Sequence, residues 1–398
     1  MTEPLLPVTE ALARILALIA PTGEETVALL DAEGRALARP VASTRTQPPF
    51  AASAMDGYAV LSADIHPGSV LRVTGEARAG ARHDGGVSAG EAVRIFTGAP
   101  VPPGADRILI QEDADRHGDT LTVRDRIDPQ AYIRAAGIDF SAGDTMNPRR
   151  LSPQDIALLA AFNQPQISVR KRPVIALIAT GDELVEPGET PGPDQIVSSN
   201  AYGLHALLRR HGAAPMMLPI ARDTRASLAA ALDAARGADL IVTLGGASVG
   251  DHDLVREVFG QGGLDLSFYR INMRPGKPLM AGRIAGGPPM LGLPGNPVSA
   301  MVCAHLFLRP VLDAFAGLSA GPLPRLRAPL AEAVEANGGR EHYARAALVD
   351  TPGGKALRLF GRQDSSVLSV LSAADCLAVL PPRAPAMQAG AMVDYIRI

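Results

Sequence analysis

The stretch that most constrains this chain is residues 241–253, IVTLGGASVGDHD. Residues 239–244 carry a short apolar run, the length of one buried parallel strand. Gly245 and Gly246 end it and let the backbone pass close to a ligand. Ser248 adds a hydroxyl, and Asp251, His252 and Asp253 open an expected helix over 253–259. Strand, glycine turn and helix start together form a cradle for a phosphate. The aspartates at its lip do not suit a bare anion, but they suit a phosphate that arrives with a divalent cation.

The pattern around this stretch predicts an α/β unit. Strands are expected at 174–179, 216–220 and 266–271, helices start at Ser199 or Asn200 and at Asp223-Thr224, and a hairpin spans 279–283 and 290–293. Pro294-Gly295-Asn296-Pro297 leads into a long helix, 298–314. This reads as an open, mostly parallel sheet, whose ligands bind beyond the carboxyl ends of the strands. Those ends carry Asp182, Glu183, Asp223, Ser248, Asp251, Lys277 and Asn296. If Asp182, Glu183 and Asp251 share one rim, each pair at about 4 Å repels by roughly 4 kcal/mol at an effective dielectric near 20. Such a rim calls for a cation or for raised pKa values. Mg²⁺ takes one or two carboxylates and bridges to substrate phosphates, so a magnesium-phosphate site is the economical reading. Arg274 and Lys277 flank a Pro-Gly turn at the same end and supply the groups that grip an oxyanion.

Before this unit the chain reads differently. Leu12, Ile15, Leu16 and Ile19 define one amphipathic helix, stopped by Pro21 and Gly23. A strand at 26–30 and a short helix at 32–38 are expected next. From 47 to 138, short strands (70–73, 91–95, 107–111, 120–123) alternate with Gly/Pro turns, a β-rich subdomain. Asp56, Thr97 and Asp139 lie in its turns, and turn chemistry alone accounts for them locally. Ser152-Pro153-Gln154-Asp155 starts a helix to about 161. After a linker at 317–324, strands at 325–334, 342–349, 356–360, 374–380 and 392–398 suggest a small β-barrel or sandwich. The expected division is 1–170, an N-terminal region in two subdomains, then 171–318, the α/β domain, and 323–398, the C-terminal β-barrel domain.

Composition narrows the function. A chain of 398 residues exceeds one core. A net charge of -3 with 4% aromatics offers neither a basic footprint nor stacking platforms, so nucleic acid is not expected as a partner. Cys303 and Cys376 read as small core residues of a reducing compartment. The amino-terminal residues carry no basic leader and no apolar run approaches the roughly 20 residues of a membrane span, so a cytoplasmic protein is expected. No Ser-His-Asp order and no zinc spacing stands out.

Seven segments then occur in a telling order: PPFAASAMDGYAV, RIFTGAPVPPGADRILIQED, GIDF, IATGDEL, TLGGASVGDHD, MRPGKPLMAG and GLPGNPVSA. By them the chain resembles the molybdopterin molybdenumtransferases, the MoeA family that includes the gephyrin E domain. The resemblance covers essentially the whole chain. It implies insertion of molybdenum from molybdate into adenylylated molybdopterin with release of AMP, dependent on Mg²⁺. It implies an elongated homodimer, with each cleft set between the α/β domain of one subunit and the β-rich subdomain of the other. Asp56, Thr97 and Asp139 would come from that second subunit. Glu183, Asp223 and Asp251 would line the α/β side, with Glu183 and Asp251 as Mg²⁺ ligands. Thr180, Gly181, Asp182, Gly245, Gly246 and Ser248 would bind substrate, and Pro294 and Pro297 would shape the wall. Arg274, Lys277, Ser299, Arg345 and Ser365 would approach molybdate. Many relatives carry Lys where Arg274 stands, and an acidic and aromatic pair where His252 stands. A molybdopterin adenylyltransferase is the expected donor of the substrate. The rival readings are an adenylyltransferase that consumes ATP, and a non-catalytic scaffold of the same fold.

Overall fold

The computed structural model describes residues 5–245, 258, 260 and 263–398. Gly246, Ser248, Asp251, His252 and the expected helix over 253–259 fall outside these, apart from residue 258.

Three six-stranded sheets organise the described chain. The central one runs Ala214–Met217, Val174–Ala179, Leu240–Leu244, Pro289–Leu293, Met280–Ile284 and Leu264–Phe268. The first four strands are parallel, and the last two join through antiparallel ladders. Alternate residues serve opposite faces, as the two-residue period of a strand requires. Ile175, Leu177, Leu240, Val242 and Leu244 pack on one core, while Ala176, Ile178 and Ile241 pack on another. The first core is closed by the helix Asn200–Arg210 and by the continuous helical run Pro297–Phe315. The long helix expected over 298–314 thus forms, 19 residues in length, and against the expectation that no run approaches a span it is apolar enough to cross a membrane by length and composition. Because 72% of its apolar window is buried within the protein, it is the core helix of this domain.

The N-terminal β-rich sheet has the order Arg107–Ile110, Gly57–Val60, Glu91–Ile95, Val70–Ala77, Thr120–Val123, Ala114–His117. A separate cluster joins the ladder Glu24–Ala28 to Gln166–Arg170 with the helix Pro153–Ala161. That helix starts as its sequence dictates. Ser152 Oγ accepts from the Asp155 N–H at 3.2 Å, and Asp155 Oδ2 accepts from the Ser152 N–H at 2.9 Å. Such a reciprocal cap is worth about 1 kcal/mol. The helix expected at 32–38 does not form. The backbone there bridges instead to Arg150 and Val169 through Ala36 and Leu37. The first helix, Val8–Leu16, buries Val8, Ala11, Leu12 and Ile15 in the core of the α/β domain, not in the N-terminal region.

The third sheet has the order Met273–Arg274, Glu341–Thr351, Cys376–Leu380, Met392–Arg397, Leu326–Pro329, with Gly354–Leu359 also on Glu341–Thr351. It curls until Leu330 bridges Leu357, and it meets itself only through that bridge and the Ala331 N–H to Leu357 O bond. Its edge pair Met273–Arg274 belongs in sequence to the α/β domain, so one ladder stitches the two domains together. Cys303 and Cys376 are fully buried, and burial pushes both thiols well up.

Candidate active site

The chain runs from Val174–Ala179 outward to Ala214–Met217, then back to Leu240–Leu244 on the other flank. The carboxyl ends of Val174–Ala179 and Leu240–Leu244 therefore mark the point where strand order reverses, and a crevice opens there by topology alone. A cleft of about 740 Å³ occupies this place. Its floor is tight. The Thr180 N–H donates to Leu244 O at 3.0 Å, and Gly245 lies against Thr180 at φ +96°. A Cβ on Gly245 would come within 2.8 Å of Thr180 O, so only glycine fits. Gly181 has the same role at the rim, where a Cβ would meet the Glu183 carboxylate at 2.4 Å.

The acids gather on one side. Glu183 and Asp223 line the cleft, and Asp182 stands beside them, its Oδ1 accepting from the Asp223 N–H at 3.2 Å. Burial, then the charges of Asp182 and Glu183, hold the Asp223 carboxyl above its ordinary value. Among the described residues no three His, Cys, Asp or Glu side chains form a metal-ligand group. The opposite side carries Lys277, Pro278, Pro294, Pro297, Ser299 and Ser366. The turn at 294–297 is clamped from both flanks. Asn200 Nδ2 donates to Gly295 O at 2.6 Å, and Asn296 Nδ2 donates to Ser365 Oγ at 2.9 Å. The Val298 N–H donates to Ser365 O at 3.0 Å. The start of this helix is thus partly satisfied by protein, and Pro297 has no N–H to offer.

Three other expected residues lie outside this cleft. Thr97 donates to Asp56 Oδ1 through both its N–H and its hydroxyl, each at 2.8 Å, and these bonds lower the Asp56 pKa. The Asp139 N–H donates to Gln47 O, and Gly98 and Ala99 pair with Ser53, so the three loops converge. None of these residues lines the cleft of its own chain.

Family models match three segments of the chain. Residues 6–163 match the MoeA N-terminal region (domain I and II), 176–314 the description "Probable molybdopterin binding domain", and 327–398 the MoeA C-terminal region (domain IV). The chain belongs to the MoeA family. It is 36% identical to a molybdopterin molybdenumtransferase of Nostoc sp., over 90% of this chain and 85% of that one. It is 35% identical to molybdopterin molybdenumtransferase 2 of Mycobacterium tuberculosis, over 93% of this chain and 94% of that one. A crystal structure of the molybdopterin biosynthesis moeA protein from Pyrococcus horikoshii OT3 superposes with a TM-score of 0.85 at 25% identity, covering 99% of this chain and 100% of that one.

Within this MoeA chain the expected oxyanion group is divided. Lys277 and Ser299 line the cleft, while Arg274 is exposed on the edge strand that joins the C-terminal sheet. Arg345 is 1% exposed, with its guanidinium donating to Gln363 Oε1, Asp364 O and Arg362 O. It stands behind the wall, not on it. Several lining groups carried no local signal in the sequence. Arg270, Tyr269, Ser198 and Asn200 come from strand ends and a helix start that look ordinary. Ile196 and Val197, 59% and 43% exposed, form an apolar wall that only the fold reveals.

Proposed function

We infer that this chain is a molybdopterin molybdenumtransferase and acts in molybdenum cofactor biosynthesis. The observation that carries the reading is one cleft lined by Glu183 and Asp223 on one side and by Lys277, Ser299 and Ser366 on the other. Acids with basic and hydroxyl groups suit a diphosphate that brings a cation, next to a tetrahedral oxyanion. Adenylylated molybdopterin and molybdate have those shapes and charges, and AMP is the leaving product.

The carboxylates fit Mg²⁺: burial first, and then the charges of Asp182 and Glu183, make an ionised Asp223 costly, and a hard cation relieves that cost. Glu183 and Asp223 would hold it, with Asp251 expected to join them. When bound, Mg²⁺ neutralises charge that develops on the diphosphate. Lys277 holds the oxyanion as a point charge, and Arg274 adds a second from the neighbouring strand edge. Ser299 donates its hydroxyl, while Ser366 lines the same end with its own hydroxyl given to Asp364 Oδ1. Ile196 and Val197 take a flat ring of the substrate against an apolar face. Thr180, Gly181 and Gly245 let the backbone approach the phosphates.

Asp56, Thr97 and Asp139 enter through a homodimer, in which the β-rich subdomain of one copy completes the cleft of the other. A molybdopterin adenylyltransferase of the same cytoplasm is the donor that hands over the substrate. The test is direct. Purified protein, adenylylated molybdopterin, molybdate and Mg²⁺ are combined, and AMP and active cofactor are measured. Release of both supports the reading, and no AMP with all components present rejects it.

A further inference from the structure

Among the described residues, the C-terminal domain lines the cleft with Ser366. Gln363 uses its whole carboxamide. Its Oε1 accepts from the Arg345 N–H at 3.0 Å and from Arg345 Nε at 3.1 Å. Its Nε2 donates to Arg345 O at 2.9 Å and to Phe360 O at 2.7 Å. Arg345 then fixes the same turn by donating to Asp364 O at 2.7 Å and Arg362 O at 3.3 Å. These six bonds leave the turn at 360–364 little freedom, and Arg345, which takes part in all but the bond to Phe360, is 1% exposed. The turn continues into Ser365 and Ser366. Ser365 accepts from Asn296 Nδ2 and from the Val298 N–H, which seats the first turn of the cleft helix. Ser366 lines the cleft, held by its hydroxyl and N–H to Asp364 Oδ1 at 2.6 and 2.8 Å.

We propose that Gln363 is a positioning residue: with buried Arg345 it locks the 360–366 turn, and the turn sets where Ser366, Ser299 and the start of the cleft helix stand. The proposal rests on the molybdenumtransferase reading for one point only, the identity of the anion. The Arg345 guanidinium spends Nε, Nη1 and Nη2 on this turn. Loss of the lock loosens the oxyanion end of the cleft and leaves the acidic end, carried by other strands, in place. Such a defect appears in affinity for the oxyanion and not in the handling of the diphosphate.

The test uses the full-length protein with Gln363→Met, which keeps length and removes every carboxamide bond. Hydrogen exchange is followed in the peptide holding Asn296 to Val302, alongside steady-state kinetics. The expected result is faster exchange there, KM for molybdate raised about tenfold, and kcat and KM for adenylylated molybdopterin within about twofold. Unchanged exchange in that peptide overturns the proposal, as does faster exchange with an unchanged KM for molybdate. If wild-type protein releases no AMP while the variant still loosens that peptide, the functional reading fails and the lock stands. Should Gln363→Met not fold, Ser365→Ala removes only the acceptor for Asn296. Exchange in the peptide holding Asn296 to Val302 must then rise, and unchanged exchange there overturns the proposal.

Discussion

Lys277 and Asp223 both line the cleft, and the physics of each gives a distinct expectation. Lys277 supplies a positive charge where the structure has few others, so Lys277→Ala should lower kcat/KM by about 10²-fold or more. Its stability should shift by no more than about 0.5 kcal/mol, since it is partly exposed. Equal losses of activity and of thermal midpoint would make Lys277 a structural residue. Asp223 works against folding. Its carboxyl is raised above 3.8 by burial, then by Asp182 and Glu183, so the folded state binds the proton more tightly than the unfolded chain does. Stability therefore falls as pH climbs through the raised value. Asp223→Asn should raise the thermal midpoint at pH 7 in the absence of Mg²⁺. The gain should vanish below pH about 4, and activity should drop although stability rises. A midpoint that falls at pH 7 would show that the carboxylate stabilises the fold.

At the scale of elements, legibility followed locality. The cap of Pro153–Ala161 was readable because Ser152 and Asp155 meet within one turn. The strands Val174–Ala179 and Leu240–Leu244 were readable as unbroken apolar runs. The segment 32–38 misled because its alanines favour helix, while bridges to Arg150 and Val169 claim its backbone. The π-helical stretch Ala304–Leu308 has its signal in Pro310. Pro310 cannot donate to Leu306 O and crowds it, which widens the turn before it. The acids and Lys277 of the site could be named from motifs, whereas the burial of Arg345 depends on partners 17 to 19 residues away. The same elements predict acid lability. His211, at the end of Asn200–Arg210, His305 in the π stretch and His342 on Glu341–Thr351 are each lowered from 6.5 to about 4, chiefly by burial and then by nearby arginines. The unfolded chain binds more protons between those values, so stability is lost as pH falls from 6.5 towards 4. His211→Asn should remove about a third of that slope. Thermal melts at pH 7, 6, 5 and 4.5 measure it, and an unchanged slope would refute the assignment to His211.

For the whole molecule the decisive question is how many chains build one cleft. Asp56 and Thr97 are bonded to each other in the β-rich region, Asp139 lies on a loop tied to Gln47, and the cleft of the same chain is lined without them. If a two-fold dimer brings the group of one copy to the cleft of the other, single substitutions on different chains must complement. Asp56→Ala spoils the donated half and Lys277→Ala the receiving half. A heterodimer of the two variants then holds one site with both lesions and one with neither. Random pairing makes half the dimers mixed, so a co-expressed and co-purified mixture should recover about a quarter of wild-type specific activity. Each variant alone should stay near background. If all these residues served one cleft within a single chain, every site in the mixture would carry a lesion and no activity would return. The measurement separates the two architectures without any structure of the dimer, because complementation depends only on which chain supplies which residue.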